Sequence, residues 1–240
     1  TAPFFFYAGT LAVAGTVGLL MLHPHGTRPE QKADTPAISF RSLVKDARYQ
    51  AACFTNLAQG WTSFGVRSSL VPVLVVEVLH RPASWTGVSF AIAAVVQTVA
   101  LAPAGRFVDT VGRRPAMIIG GTLGGLSIAA VPFAANIWLL IVALCVFGVA
   151  AAFLGTAPAA TVGDAAGGRT GTAVAVFSMC ADIGAIVGPL VAGWLADTWS
   201  YPAAFGVGAA LMLGGALLAW RMPRGRPVTK EDAVEPETLS

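Results

Sequence analysis

Two apolar runs, each about twenty residues long and so enough for a helix to cross the hydrocarbon core of a bilayer, flank one short charged turn. The turn reads Gly105-Arg106-Phe107-Val108-Asp109-Thr110-Val111-Gly112-Arg113-Arg114-Pro115, with Trp85 to Ala104 before it and Ala116 to Ala134 after it. A connection this short reverses the chain, so the pair predicts two antiparallel membrane-spanning helices with a basic tip. Lys and Arg next to spanning segments stay on the cytoplasmic side. The turn therefore constrains orientation as well as fold class.

Composition agrees. Of 240 residues, 55% are hydrophobic and 11% charged, where a soluble domain is about a quarter charged. Mean hydropathy is +0.71. An ordinary core of this size could not enclose so much apolar surface, and lipid must solvate much of it. The net charge of +3 does not point to nucleic acid, because the basic residues sit between apolar segments and form no stripe interleaved with aromatics. Cys53, Cys145 and Cys180 lie inside apolar segments without metal-ligand spacing, and His23, His25 and His80 lie in loops or at segment ends. No metal or cofactor is expected. With no clustered His, Cys or carboxylate constellation, the chain is not expected to be an enzyme. No G-x-x-x-x-G-K-[ST] loop is present to support direct ATP drive.

Taken in order, residues 1–22 read as a first span. No basic residue precedes it, which argues against a signal peptide, and a chain opening at Thr1 directly in a span reads as cut from something longer. Residues 23–48 form a basic linker with Arg28, Lys32, Arg41, Lys45 and Arg48, ending in a short surface helix over Phe40 to Tyr49. Residues 49–220 hold six further spans: Tyr49–Leu79, Trp85–Ala104, Ala116–Ala134, Trp138 to Ala159, Gly171–Leu195 and Pro202–Trp220. Residues 221–240 are a charged tail, expected to be disordered. The fold class is thus an all-α membrane protein with seven transmembrane helices, N-terminus outside and C-terminus cytoplasmic. Every Lys and Arg except Arg67 and Arg81 then falls on the cytoplasmic side. Trp85, Trp138, Trp199 and Tyr201 mark the outer interface, and Tyr49 and Trp220 the inner one.

Ionisable residues inside spans are functional candidates, since charge at that depth costs about 2.5–3.5 kcal/mol on insertion scales. Arg67 and Asp182 both fall near mid-membrane. They are expected to line or gate a pathway, with Asp182 as a proton acceptor; a buried structural ion pair between them is the alternative. Asn56, Gln59, Ser63 and Arg67 share one helical face at α-helical spacing. They and Gln97 either contact a solute or bond between helices. Trp61 either stacks on a solute or faces lipid, and Glu77 is expected to be solvated. Gly120, Gly121, Gly124 and Gly125 allow close helix approach. Gly184, Gly188 and Gly193 are expected to form a packing surface, and a hinge near Pro189 is the lesser alternative.

The charged turn has its own chemistry. Gly105 and Gly112 would let it pass close to neighbouring helices. Asp109 suits the positive end of a helix, and Arg113 and Arg114 suit acids or lipid phosphates. Such contacts, with Arg106, would form a latch made in one conformation and broken in another. Plain topogenic charge is the competing account, above all for Arg114.

Gly105-Arg106-x-x-Asp109-x-x-Gly112-Arg113-Arg114 resembles the cytoplasmic-loop motif of the major facilitator superfamily. Gly184-x-x-x-Gly188-Pro189-x-x-x-Gly193 is similar to the Gly-Pro motif of that family's drug–proton antiporters. The order of spans from Tyr49 to Trp220 matches one six-helix half. A preceding span and linker, and the lack of an Arg in Trp138 to Ala159, point to the C-terminal half, helix 6 to helix 12. The resemblance implies a plasma-membrane secondary transporter that moves small organic solutes by alternating access between two six-helix halves, with protons, lipids and a missing N-terminal half as partners. Proton-coupled efflux of drugs or metabolites is the leading expectation. A proton symporter importing sugars or organic acids is the alternative, and a non-transporting membrane scaffold is the alternative of another class.

Overall fold

The computed structural model describes residues 40–166 and 170–223, together with Ala12 and Thr16. The chain divides into two units, Thr1–Pro36 and Ala37–Ser240. In the first unit Ala12 and Thr16 are helical, and the Thr16 hydroxyl donates to the Ala12 carbonyl at 2.7 Å. The span predicted over residues 1–22, most of the linker 23–48 and the tail after Pro223 lie outside the described residues.

In the second unit a short helix α1 (Phe40–Leu43) precedes the long α2 (Ala47–Val78). The surface helix expected over Phe40 to Tyr49 is thereby interrupted. Asp46 is the reason: its carboxylate accepts the Arg48 backbone N–H at 2.8 Å, and this N-cap starts a new helix instead of continuing the old one. Four helices follow α2 in quick succession: α3 (Ser84–Thr110), α4 (Arg113–Phe133), α5 (Ile137–Ala166) and, after residues 167–169, α6 (Thr170–Thr198). The last is α7 (Tyr201–Trp220), opened by Ser200, whose hydroxyl accepts the Ala203 N–H. The six helices from α2 to α7 are long and apolar enough to cross a membrane.

Two boundaries differ from expectation. Helix α3 continues through Thr110, so Gly105, Arg106 and Asp109 lie in its last turns and the true connection is Val111-Gly112. Gly112 makes so tight a reversal possible because it adopts φ +115°, a conformation that L side chains avoid. Gly112→Ala is expected to cost about 1–2 kcal/mol and to lower the thermal unfolding midpoint in detergent by about 2–8 °C. An unchanged midpoint would contradict this backbone geometry. Helix α5 likewise runs on to Ala166, which places Asp164 on a helix and not in a loop.

The packing order follows from residue size. Helix α4 lies between α5 and α7, and its glycines form the contact surface as expected. A Cβ on Gly121 would sit 2.9 Å from the Met212 carbonyl oxygen, and one on Gly120 2.8 Å from the Leu154 side chain. The core gathers Leu74, Ile128, Leu140, Leu144, Phe147, Phe205 and Met212 from α2, α4, α5 and α7. Helices α3 and α6 are mostly exposed, α3 resting on α5 and α6 on α2. At one end Trp85 and Trp138 meet edge to face with ring centroids 5.9 Å apart. Trp138 and Trp199 are exposed there, as Trp220 is at the opposite, basic end. Indole rings placed so suit the headgroup region.

Candidate functional site

Helix α2 carries the polar residues predicted for a pathway, and its irregular backbone decides where each one points. Trp61–Arg67 is wound as a π-helix, and the Ser68 N–H reaches back to the Ser63 carbonyl. The Ser68 hydroxyl donates to the same carbonyl at 2.8 Å, and the Ser69 hydroxyl donates to Gly65. Pro72 follows within the helix and has no N–H to offer Ser68. The wide turns hold more residues each than an α-turn, so the spacing of three and four no longer keeps one face.

The consequence is a split stripe. Asn56 donates to the Phe177 carbonyl of α6 at 2.7 Å, the interhelical bond that was one of its two readings. Arg67 instead turns toward α3 and α5, its guanidinium carbon 5.0 Å from the Phe90 ring centroid and 5.6 Å from that of Phe147. The Arg67 Nε is enclosed without a hydrogen-bond partner, and so is the Gln59 Oε1. Ser63 is half-buried between them in sequence. Gln97 is half-buried on α3, its Cβ beside Gly148 of α5. Trp61 is 9% exposed and packs where α2 crosses α6, with its indole Nε1 enclosed and without a hydrogen-bond partner.

Asp182 does not pair with Arg67. Ala181 and Gly184 hold the side of α6 that meets α2, through Gly60 and Leu57. Asp182 projects from the other side, exposed beside the exposed Met179, Ile183 and Ile186. The pairing read from depth alone fails because the two side chains leave their helices in different directions. Among the described residues neither takes part in an ion pair within 4 Å. Glu77 is exposed as expected and accepts from the Tyr201 hydroxyl at 2.9 Å, tying α2 to α7.

The Gly-Pro segment packs in part. A Cβ on Gly65 would lie 2.6 Å from the Gly188 carbonyl carbon, and one on Gly188 3.0 Å from the Gly65 Cα. Backbone touches backbone there. Gly184 approaches Leu57 and Trp61 in the same way. Gly193 has open space around it and contributes nothing to this surface. Pro189 lies inside α6 next to Gly188, half-buried.

At the basic turn the structure separates the arginines by role. Arg113 donates to the Ala160 carbonyl at 2.6 Å and forms an ion pair with Asp164, joining α4 to α5. Arg114 donates to the Trp220 carbonyl at 2.5 Å, so a cation meets the negative end of α7. Arg114 is therefore more than topogenic charge. A Cβ on Gly105 would meet nothing within 4 Å, so the close passage expected of it does not occur among the described residues. Arg106 and Asp109 are exposed and form no ion pair among the described residues. Sequence reading did not anticipate Phe90 and Phe147 as partners of Arg67. The only signal was two phenylalanines in apolar runs, which reads as lipid or core.

Six hydrocarbon-length helices, enclosed polar groups along α2 and basic clamps at one end define a multi-pass helical membrane protein. The chain belongs to the Major Facilitator Superfamily: the family model of that description matches residues 52–239. A protein named multidrug resistance protein MdtG, from Proteus mirabilis (strain HI4320), is 30% identical over 158 residues, covering 65% of this chain and 39% of its own. Sugar efflux transporter A of Dickeya chrysanthemi is 24% identical over 186 residues, covering 78% and 47%. The synaptic vesicular amine transporter of Rattus norvegicus is 28% identical over 145 residues, covering 59% and 27%. This chain thus spans less than half the length of the relatives it matches. It is a partial member of the superfamily that resembles drug antiporters, and not an enzyme.

Proposed function

We propose that this chain supplies the C-terminal six helices, preceded by the last helix and linker of an N-terminal half, of a plasma-membrane secondary transporter. The complete protein exports small organic solutes in exchange for protons by alternating access. Its N-terminal end here lies outside and the tail in the cytoplasm. The observation that carries the reading is Asp182: a carboxylate halfway along an exposed face of α6 whose other exposed residues are mostly apolar, Ser178 apart. Lipid against that face would leave a charge unsolvated at a depth where this is costly. A second six-helix half with water between the halves removes the conflict and makes Asp182 an accessible proton acceptor. The names of the relatives, multidrug resistance and sugar efflux, favour export.

The test uses inside-out vesicles that contain the complete transporter and an imposed pH gradient, with dyes, antibiotics and sugars offered in turn. Gradient-dependent uptake is expected from the native protein, reduced about tenfold or more in Asp182→Asn at equal membrane insertion. Intact coupling in that variant would rule out the proton-acceptor role. Accumulation only in vesicles of the opposite orientation would favour the symport reading, and no transport of any compound by correctly inserted protein would favour a scaffold.

A further inference from the structure

We propose that Arg67 is the point at which the transported solute is held, through a carboxylate, so that organic anions are a substrate class of this transporter. The inference rests on the transport reading above and adds to it the chemistry of the solute.

Arg67 sits within the spanning helix α2, half-buried, with Phe90 of α3 and Phe147 of α5 against its guanidinium. Two phenyl rings favour the cation through their negative faces, yet neither accepts an N–H bond. A guanidinium has five N–H donors in one plane and no acceptor. The Nε donor is enclosed without a partner, and among the described residues no carboxylate lies within ion-pair distance. The acids nearest in the sequence pattern are engaged or aimed elsewhere: Glu77 accepts from Tyr201, and Asp182 projects from a different side of the bundle. The site therefore has charge, planarity and flanking apolar walls. The guanidinium's terminal nitrogens are not among the enclosed groups and have no partner among the described residues, so they are the donors open to an acceptor. A carboxylate completes the site, because its two oxygens match the fork of the guanidinium. The π-turn over Trp61–Arg67 is what swings the side chain away from the α6 seam and toward these rings.

The carboxylate could also come from an acidic side chain of the other half, and the experiment separates the two sources. The complete transporter, in lipid nanodiscs without a pH gradient, is titrated with radiolabelled benzoate and octanoate and with the uncharged benzamide. Saturable binding of the two carboxylates is expected, with benzamide far weaker. Arg67→Gln should weaken carboxylate binding about tenfold or more, Arg67→Lys less, and Phe90→Leu to an intermediate degree. Size-exclusion behaviour and unfolding midpoint monitor folding; if Arg67→Gln fails to fold, Arg67→Lys and Phe90→Leu carry the comparison. Equal carboxylate binding by native protein and the Arg67 variants overturns the proposal and assigns the acceptor to the other half. Absence of saturable binding of either carboxylate by the native protein also overturns it. Binding is read without a gradient, so a failure of proton coupling and a failure of anion recognition remain distinguishable.

Discussion

Gly65→Leu is expected to destabilise the protein by about 3 kcal/mol and to lower its unfolding midpoint in detergent by about 6–12 °C. The reason is that α2 and α6 meet through backbone. A Cβ on Gly65 already falls 2.6 Å from the Gly188 carbonyl carbon, and no rotamer moves a Cβ. The helices must separate, and with them go the contacts that depend on the seam. Those include the Asn56 bond to Phe177 and the Tyr49 hydroxyl bond to the Ala173 carbonyl at 2.9 Å. Such close approach is the main source of helix association in lipid, where no hydrophobic drive distinguishes a neighbouring helix from an acyl chain. Gly193→Leu, on the same helix but facing open space, is the control and should leave the midpoint within about 2 °C. Equal behaviour of the two variants would contradict the crossing described here.

Phe147→Ala is expected to cost about 2–3 kcal/mol, less than the roughly 3–5 kcal/mol of the same change in a water-soluble core. Phe147 is 1% exposed and belongs to the main core cluster, so its removal leaves a cavity that surrounding helices close only in part. In a membrane the transfer contribution shrinks, because the unfolded helices are still in hydrocarbon; the lost packing contacts remain. Phe147 also carries one of the two rings on Arg67. A double-mutant cycle of Phe147→Leu with Arg67→Met, read by unfolding midpoints, isolates that contact from the cavity. A coupling of about 0.5–2 kcal/mol is expected. Coupling indistinguishable from zero would mean that the ring serves packing alone.

Most of the architecture was legible in the chain because bilayer thickness sets helix length. Six predicted spans have their counterparts in α2 to α7, and the glycines of α4 pack as their spacing suggested. Errors gathered at helix ends. Sequence reading stopped α3 at Ala104 and α5 at Ala159, where polarity begins, whereas the helices run on to Thr110 and Ala166. A helix need not end where the hydrocarbon does, since its backbone bonds are satisfied internally on both sides of that boundary. The candidate site was legible in composition but not in direction. Asn56, Gln59, Ser63 and Arg67 were found as the polar residues of one span, and the assumption of uniform winding then placed them on one face.

What the sequence determined by itself, then, is whatever depends on length and on counting charges: the membrane class, the family motifs and a short basic reversal within 105–115, which the structure narrows to Val111-Gly112. What only the tertiary structure decided is orientation about a helix axis. The π-helical stretch Trp61–Arg67 sends Arg67 to Phe90 and Phe147 and leaves Asn56 on α6. The direction of Asp182 follows from which small residues of α6 touch α2. Both depend on residues far apart in the chain meeting at close range, and one-dimensional spacing carries no record of that.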